Sequence, residues 1–275
     1  MKISTVNTSL ENINQDKKIK LTFSDNFAEI ISSGKEKIPP NCRRLSSNQY
    51  IDKSTGAVKD YSVTNNRILS VDSLRKTYKR LELIIKSNFI GNNSEVFLTL
   101  GYDSHMNDYE KLKRDFYSFR KKFDKAYPDC NYIVIVEYKS NGDLHMHILI
   151  KHSSKKLFLD RDLLINLWGQ NAVYAKHIDG SSGVDNLTRY LNPFKNDKKF
   201  GRLMFYKRNF RIYRRTKGIK SPKFKELPYN EAIKILKDNN YKKFYSSSYN
   251  VIGEYNNGCK AVLNDITIMQ FRKEV

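Results

Sequence analysis

The sequence predicts an α+β protein, with a central antiparallel sheet that carries a His-x-His hairpin and is flanked by helices. Three observations predict it. Apolar, β-branched-rich runs at 133–138 and 144–150 enclose Ser140-Asn141-Gly142-Asp143, which is turn chemistry, so the two runs form a β-hairpin. Helical stretches with one apolar stripe alternate with short strand-like runs, and the hairpin makes the sheet antiparallel or mixed. The 275 residues are 39% hydrophobic, enough to bury one good core with appendages around it.

Residues 1–40 are polar, lysine-rich and end in Pro39-Pro40. This is the composition of a flexible tail, with at most a short strand at 19–23. Residues 41–90 form an accessory segment, with short β-like pieces around the turn Thr55-Gly56. A helix capped by Asp72 then runs to about Asn88, with Leu74, Tyr78, Leu81 and Ile85 as its apolar stripe and Arg75, Lys76, Lys79 and Arg80 opposite.

Residues 91–222 hold the main domain. Gly91-Asn92-Asn93 breaks the chain, and 95–102 is the first strand of the main sheet. Asn107 with Glu110 forms a capping box for a helix to about Tyr127, which buries Tyr109, Leu112, Phe116, Phe119 and Phe123. After the hairpin, 160–168 is a helix stopped by Gly169, with Leu163, Leu164, Leu167 and Trp168 turned inward. A strand at 172–178 follows, then a helix from Val184 that buries Val184, Leu187, Leu191 and Phe194. Residues 223–275 are a C-terminal extension, with a helix at 229–237 and β-like pieces around Asn256-Asn257-Gly258.

The formal net charge is +21 and the pI about 9.7, which argues for a polyanionic partner, nucleic acid before membrane. No apolar run approaches the roughly 18 residues of a spanning helix, so no membrane partner is expected. No signal-peptide core follows the N-terminus, which places the protein in the cytoplasm. Cys42, Cys130 and Cys259 are odd in number and contain no CxxC pair, which excludes a zinc-finger framework and argues against a disulfide scaffold. Between Lys195 and Lys225 there are 13 Lys or Arg and one acid, Asp197, interleaved with Phe200, Phe205, Tyr206, Phe210 and Tyr213. That pairing of phosphate neutralisation with base stacking is expected of a single-strand track.

The chemistry points to the hairpin. His145 and His147 lie two apart on a strand, so their rings share one face while Met146, Ile148 and Ile150 take the other. Two imidazoles held side by side can chelate one metal ion. A two-residue Asn-Gly turn would put Tyr138 opposite His145. A type I turn at Ser140-Asn141 with Gly142 as a G1 bulge puts Glu137 there instead. The second register is preferred, because a carboxylate in an apolar strand is costly to bury unless a cation or hydrogen bonds compensate it.

Several stretches then fall into a familiar order. The strand Phe97-Leu98-Thr99-Leu100, a strand ending in Glu137, His145-Met146-His147, and a helix with Leu187-Thr188-Arg189-Tyr190-Leu191 together resemble the HUH endonucleases. More narrowly they resemble the rolling-circle replication initiators of small bacterial plasmids and phages. The resemblance extends over residues 43–222, from Arg43-Arg44-Leu45-Ser46 and Thr55-Gly56 to the stretch 215–222. It implies a Rep-type fold, ferredoxin-like or RRM-like. It also implies Tyr190 as the nucleophile, and Glu137, His145 and His147 as ligands of Mg²⁺ or Mn²⁺. Single-stranded and origin DNA would be the substrate, contacted by Arg189, Lys195, Arg202, Arg214, Arg215 and Lys217.

The family pattern hydrophobic-x-x-Tyr-hydrophobic-x-Lys is incomplete here, with Pro193 at the lysine position and Lys195 two residues later. Asn186 stands where two-tyrosine initiators carry their second tyrosine, so a single-nucleophile enzyme is implied. Its product would be a 5′-phosphotyrosyl link with a free 3′-hydroxyl for a polymerase, and rejoining would need no nucleotide cofactor. No GxxxxGK[ST] occurs, so strand separation falls to a separate host helicase. The imidazoles must be neutral to bind metal, and activity is expected to fall below about pH 6. Leu149 stands where a histidine-triad hydrolase needs a third His. A relaxase or transposase of the same fold and a catalytically inactive DNA-binding module stay open.

Overall fold

A computed structural model describes residues 2–9, 13–35, 41–46, 49–61, 66–207, 210–254 and 260–274. Pro39-Pro40 at the end of the expected tail, the stretch Asn256-Asn257-Gly258 and Cys259 lie outside the described residues. The class is α+β as expected, with antiparallel sheets and, among the described residues, six α-helices. The chain divides into two compact units, Met1–Thr64 with Lys223–Val275, and Asn65–Pro222.

The first unit begins with β1 (Lys2–Thr8), β2 (Lys18–Phe23), β3 (Phe27–Ser33), β4 (Cys42–Arg44), β5 (Gln49–Asp52) and β6 (Val58–Asp60). In the second unit follow α1 (Val71–Asn88), β7 (Glu95–Leu100), α2 (Tyr109–Ala126), β8 (Cys130–Tyr138), β9 (Leu144–His152) and α3 (Arg161–Trp168). That unit closes with β10 (Val173–His177), α4 (Gly180–Leu191), α5 (Asp197–Phe200) and β11 (Tyr213–Arg215). The chain returns to the first unit with β12 (Lys223–Pro228), α6 (Tyr229–Asp238), β13 (Tyr241–Glu254) and β14 (Lys260–Lys273).

Among the described residues, the expected tail is instead largely strand. Strands β1, β2 and β3 belong to a six-stranded sheet ordered β1-β13-β14-β3-β2-β12, which also takes up the expected C-terminal extension. Alternation explains the stability of this sheet. Ile19, Leu21, Ala28, Ile30, Met269 and Phe271 share one face and bury it with Ala232 and Leu236 of α6. The polar residues of 1–40 hid strands that, besides the β2–β3 pair, take partners from the far end of the chain, β12, β13 and β14. The short pieces around Gly56 form the three-stranded sheet β4-β5-β6.

The second unit holds a five-stranded antiparallel sheet ordered β10-β7-β9-β8-β11. On one face Met146, Ile148 and Ile150 meet α2 and α3, where Phe119, Phe123, Trp168 and Tyr132 pack together. Across the other face lies α4, whose Tyr190 meets Phe97 of β7. An ionic chain through the buried Glu82 and Lys86 ties α4 and the residues after it to α1, from Lys195 to Glu82 at 2.8 Å, and through Lys86 to Asp185 at 3.2 Å. No helix among the described residues is long and apolar enough to cross a membrane.

Several boundaries moved for local reasons. The 3₁₀ turn Arg67–Ser70 precedes α1, and Asn66 rather than Asp72 supplies the capping oxygen, to Ile68 N–H. Asp108 caps α2 one residue after the expected Asn107, accepting from the amides of Glu110 and Lys111. Leu163 is exposed, because an eight-residue helix turns only Leu164 and Trp168 fully inward. The last long helix starts at Gly180, not Val184, and Phe194 beyond its end is only half-buried. Its start is fixed by a close backbone approach. Gly180 N–H donates to Gly91 O at 2.9 Å, and a Cβ on Gly91, at φ +82°, would collide with the Gly180 backbone.

Candidate metal centre and nucleophile

The turn sets the site. Gly142 N–H donates to Lys139 O at 3.1 Å, Gly142 takes φ +84°, and Asp143 O accepts from Lys139 N–H at 2.7 Å. With that bulge Glu137 pairs with His145, as the preferred register expects, while His147 lies between Ile135 of β8 and Thr99 of β7. Glu137, His145 and His147 are all buried.

Their polar atoms converge. The two imidazole Nε2 atoms are 3.1 Å apart, and Glu137 Oε2 lies 3.5 Å from the first and 3.4 Å from the second. His147 is fixed from behind by Thr99 Oγ1, 3.0 Å from Nδ1, and by Phe97 stacked on its ring. With a cation bound, a proton on Nδ1 would donate to Thr99 and leave the Nε2 lone pair free for the cation. His145 Nδ1 is buried with no hydrogen-bond partner among the described residues.

Electrostatics favour the ligand forms. Burial alone would raise the Glu137 carboxyl, but hydrogen bonds from the two histidines and the nearby Lys199 charge outweigh it and hold it well below the usual carboxylate range. Burial pushes His147 down to about 4. An ionised carboxylate and inward-facing imidazole nitrogens, all within 4.8 Å of one another, fit a divalent cation.

Tyr190, in the last turn of α4, meets the edge of His147 with ring centroids 5.6 Å apart. The residue is 42% exposed, so it meets both the site and solvent. Burial and then Glu137 raise its hydroxyl pKa, while Arg202 works in the opposite direction.

The basic residues separate. Arg202 lies at the centre, with Nη1 3.6 Å from Glu137 Oε2. Lys195 is half-exposed and paired with Glu82, and Arg189 is exposed beside Tyr190. On β11, Arg215 pairs with Ile133 and so shares the histidine face, whereas Arg214 pairs with Val134 on the opposite face. Lys217 is exposed in the loop beyond.

Sequence reasoning missed Lys199. Pro193 ends the helical path, and the chain loops back through α5 until the Lys199 ammonium reaches both Glu137 oxygens, at 2.9 and 2.7 Å. The same nitrogen sits 3.6 Å from the Tyr190 ring centroid. Among 13 basic residues nothing in the sequence marks this one. The signal available was indirect, since a buried Glu137 requires a cation.

An antiparallel sheet presenting Glu opposite His-x-His, with a tyrosine-bearing helix laid across it, resembles an HUH motif. Residues 95–195 match the family model described as replication-associated protein ORF2, from β7 to just past Tyr190. The match indicates a replication-associated protein, with DNA as the implied partner, and it is narrower than the 43–222 span of the resemblance. No curated protein and no solved structure matches the chain.

Proposed function

We propose that the chain nicks and rejoins single-stranded origin DNA to initiate rolling-circle replication of a small plasmid or phage genome, with Tyr190 as nucleophile. One observation carries this reading: Tyr190 reaches the buried Glu137, His145 and His147 set from a helix on the same side of the sheet. These three residues would hold Mg²⁺ or Mn²⁺, which when bound supplies a Lewis acid to a scissile phosphate.

The other steps belong to the chain's own groups. The Tyr190 oxygen attacks phosphorus, forming the phosphotyrosyl ester and breaking the bond to the 3′ oxygen. The phenol loses its proton, and the departing 3′ oxygen takes one up as a free hydroxyl for a polymerase. Burial and Glu137 raise the phenol's pKa, so the attack needs a group that favours phenolate, and Arg202 would be that group. The ester conserves the bond energy, so reversal rejoins the strand without a nucleotide cofactor. A separate helicase opens the duplex, and Arg189, Arg215 and Lys217 lead the strand over the histidine face.

Incubation with labelled single-stranded origin DNA and Mn²⁺ should yield a covalent protein–DNA adduct. Tyr190→Phe deletes one oxygen from a half-exposed residue, so it should keep the fold and DNA affinity yet lose the adduct. Tyr174 is the control. It is 60% exposed on the same sheet face, paired with Thr99, and Tyr174→Phe should keep the adduct. An adduct that persists in Tyr190→Phe and disappears in Tyr174→Phe refutes the assignment. Its absence from the wild type on every origin-like strand would leave a DNA-binding module without nuclease chemistry.

A further inference from the structure

We propose that Lys199 is a built-in counter-ion that competes with a divalent ion for Glu137, so that loading the site releases its ammonium beside Tyr190. The inference rests on the metal reading above. Lys199 donates to Glu137 Oε2 at 2.7 Å, and that oxygen is the one lying 3.4 to 3.5 Å from both histidine Nε2 atoms. It also donates to Oε1 at 2.9 Å, so the carboxylate is held at both ends. The Lys199 side chain is 3% exposed, and Glu137 is the acceptor its ammonium reaches on both sides.

An ammonium has three donors and no lone pair. It can satisfy Glu137 but cannot join a ligand set with the histidines. A divalent ion bound through Oε2 and the two Nε2 atoms would stand next to that ammonium in a buried setting, where like charges repel strongly. The two cations therefore exclude each other. By linkage, an ion that displaces Lys199 is itself weakened by Lys199 to the same degree.

The structure also limits where the displaced ammonium can go. Its nitrogen already lies over the Tyr190 ring, and its backbone belongs to the single turn of α5, followed by Gly201. A short movement off Glu137 brings it to the exposed side of that ring, where a phosphate approaching Tyr190 would supply new acceptors. Lys199 would thus be a positioning residue, guarding Glu137 before loading and standing beside the attacked phosphate after it.

Two measurements on the full chain test this. In a Mn²⁺ titration followed by electron paramagnetic resonance, Lys199→Met should bind Mn²⁺ about tenfold tighter than the wild type. Lys199→Arg, which keeps the charge, should stay close to wild type. A merely structural lysine predicts the reverse, since its loss would loosen the ligands and weaken binding. In the wild type, Lys199 should be protected from an amine-labelling reagent without metal and become labelled at saturating Mn²⁺, as read by peptide mass spectrometry. If Lys199→Met does not fold, the labelling decides alone. A folded Met variant with unchanged or weaker binding, or a Lys199 still protected at saturating Mn²⁺, overturns the proposal and leaves the metal reading standing. If neither the wild type nor Lys199→Met binds Mn²⁺ or Mg²⁺, the metal reading itself falls and takes this inference with it.

Discussion

The two faces of strand β9 are built from alternating residues of one short run and obey different rules. Met146, Ile148 and Ile150 enter a face of hydrocarbon against α2 and α3, where burial alone stabilises them. His145 and His147, one position away in each case, are as deeply buried but among a carboxylate, an ammonium and a tyrosine. Charge on that face persists only because each group compensates another. One face therefore holds the fold together, while the other keeps a costly polar cluster whose use is chemical.

The comparison breaks most sharply at the histidines. His145→Ala or His147→Ala removes one of three ligands, so Mn²⁺ affinity should fall by more than about a hundredfold and strand cleavage should vanish. Stability should fall as well, by about 1–3 kcal/mol, since each truncation takes a hydrogen bond from the buried Glu137 carboxylate and His147 also loses the one to Thr99. Ile148→Ala should separate the two effects. This side chain is 2% exposed, and its truncation should cost about 3 kcal/mol while leaving Mn²⁺ affinity near wild type. Denaturant unfolding and Mn²⁺ titration of all three variants check this, and a His variant that still cleaves fully would sink the metal assignment.

Acid sharpens the contrast next. Burial holds His147 at about 4 in the folded protein, below the ordinary 6.5 of an unfolded histidine. The unfolded chain thus takes up a proton that the folded one refuses. The stabilisation is complete above pH 6.5 and declines as pH falls toward 4, by up to about 3 kcal/mol. Glu137, lowered in the folded state, extends the decline below its ordinary pKa of 4.5. Unfolding midpoints between pH 7 and 4 should show this loss in the wild type and much less of it in His147→Gln. For metal binding, proton competition at His147 then begins nearer pH 4 than the 6 expected for a free imidazole.

Legibility followed the same division. The hydrocarbon face was readable from periodicity, and the hairpin, its Gly142 bulge and the Glu137–His145 pairing from turn chemistry and the cost of burying a carboxylate. Tyr190 and its helix were readable only through resemblance, since 17 other tyrosines compete with it. Two things were hidden for physical reasons. The first unit depends on strands from opposite ends of the chain, and Lys18, Lys20, Thr22, Glu29 and Ser32, interleaved along β2 and β3, look like a tail until those partners are known. Lys199 is specified by where the chain turns after Pro193, and a composition of 13 basic residues says nothing about which one is buried.

Alternation recurs on β11, and it gives the smallest and most selective effect. Arg215 pairs with Ile133, which shares the face of Glu137, while Arg214 pairs with Val134, which shares the face of Ile148. Both are exposed at the sheet edge, so composition treats them alike. A strand led to Tyr190 over the histidine face can reach only the first, although Arg215 already donates to Ile219 O at 2.9 Å and Ser221 Oγ at 2.7 Å. Those bonds hold the guanidinium in place and leave part of it for a phosphate. Arg215→Gln should therefore make the slope of log K against log salt shallower by up to ~0.7 for single-stranded DNA, the contribution of one phosphate contact. Arg214→Gln should leave that slope unchanged. Anisotropy titrations at several salt concentrations separate the two, and a loss seen with Arg214→Gln alone would mean that the strand does not cross the histidine face at β11.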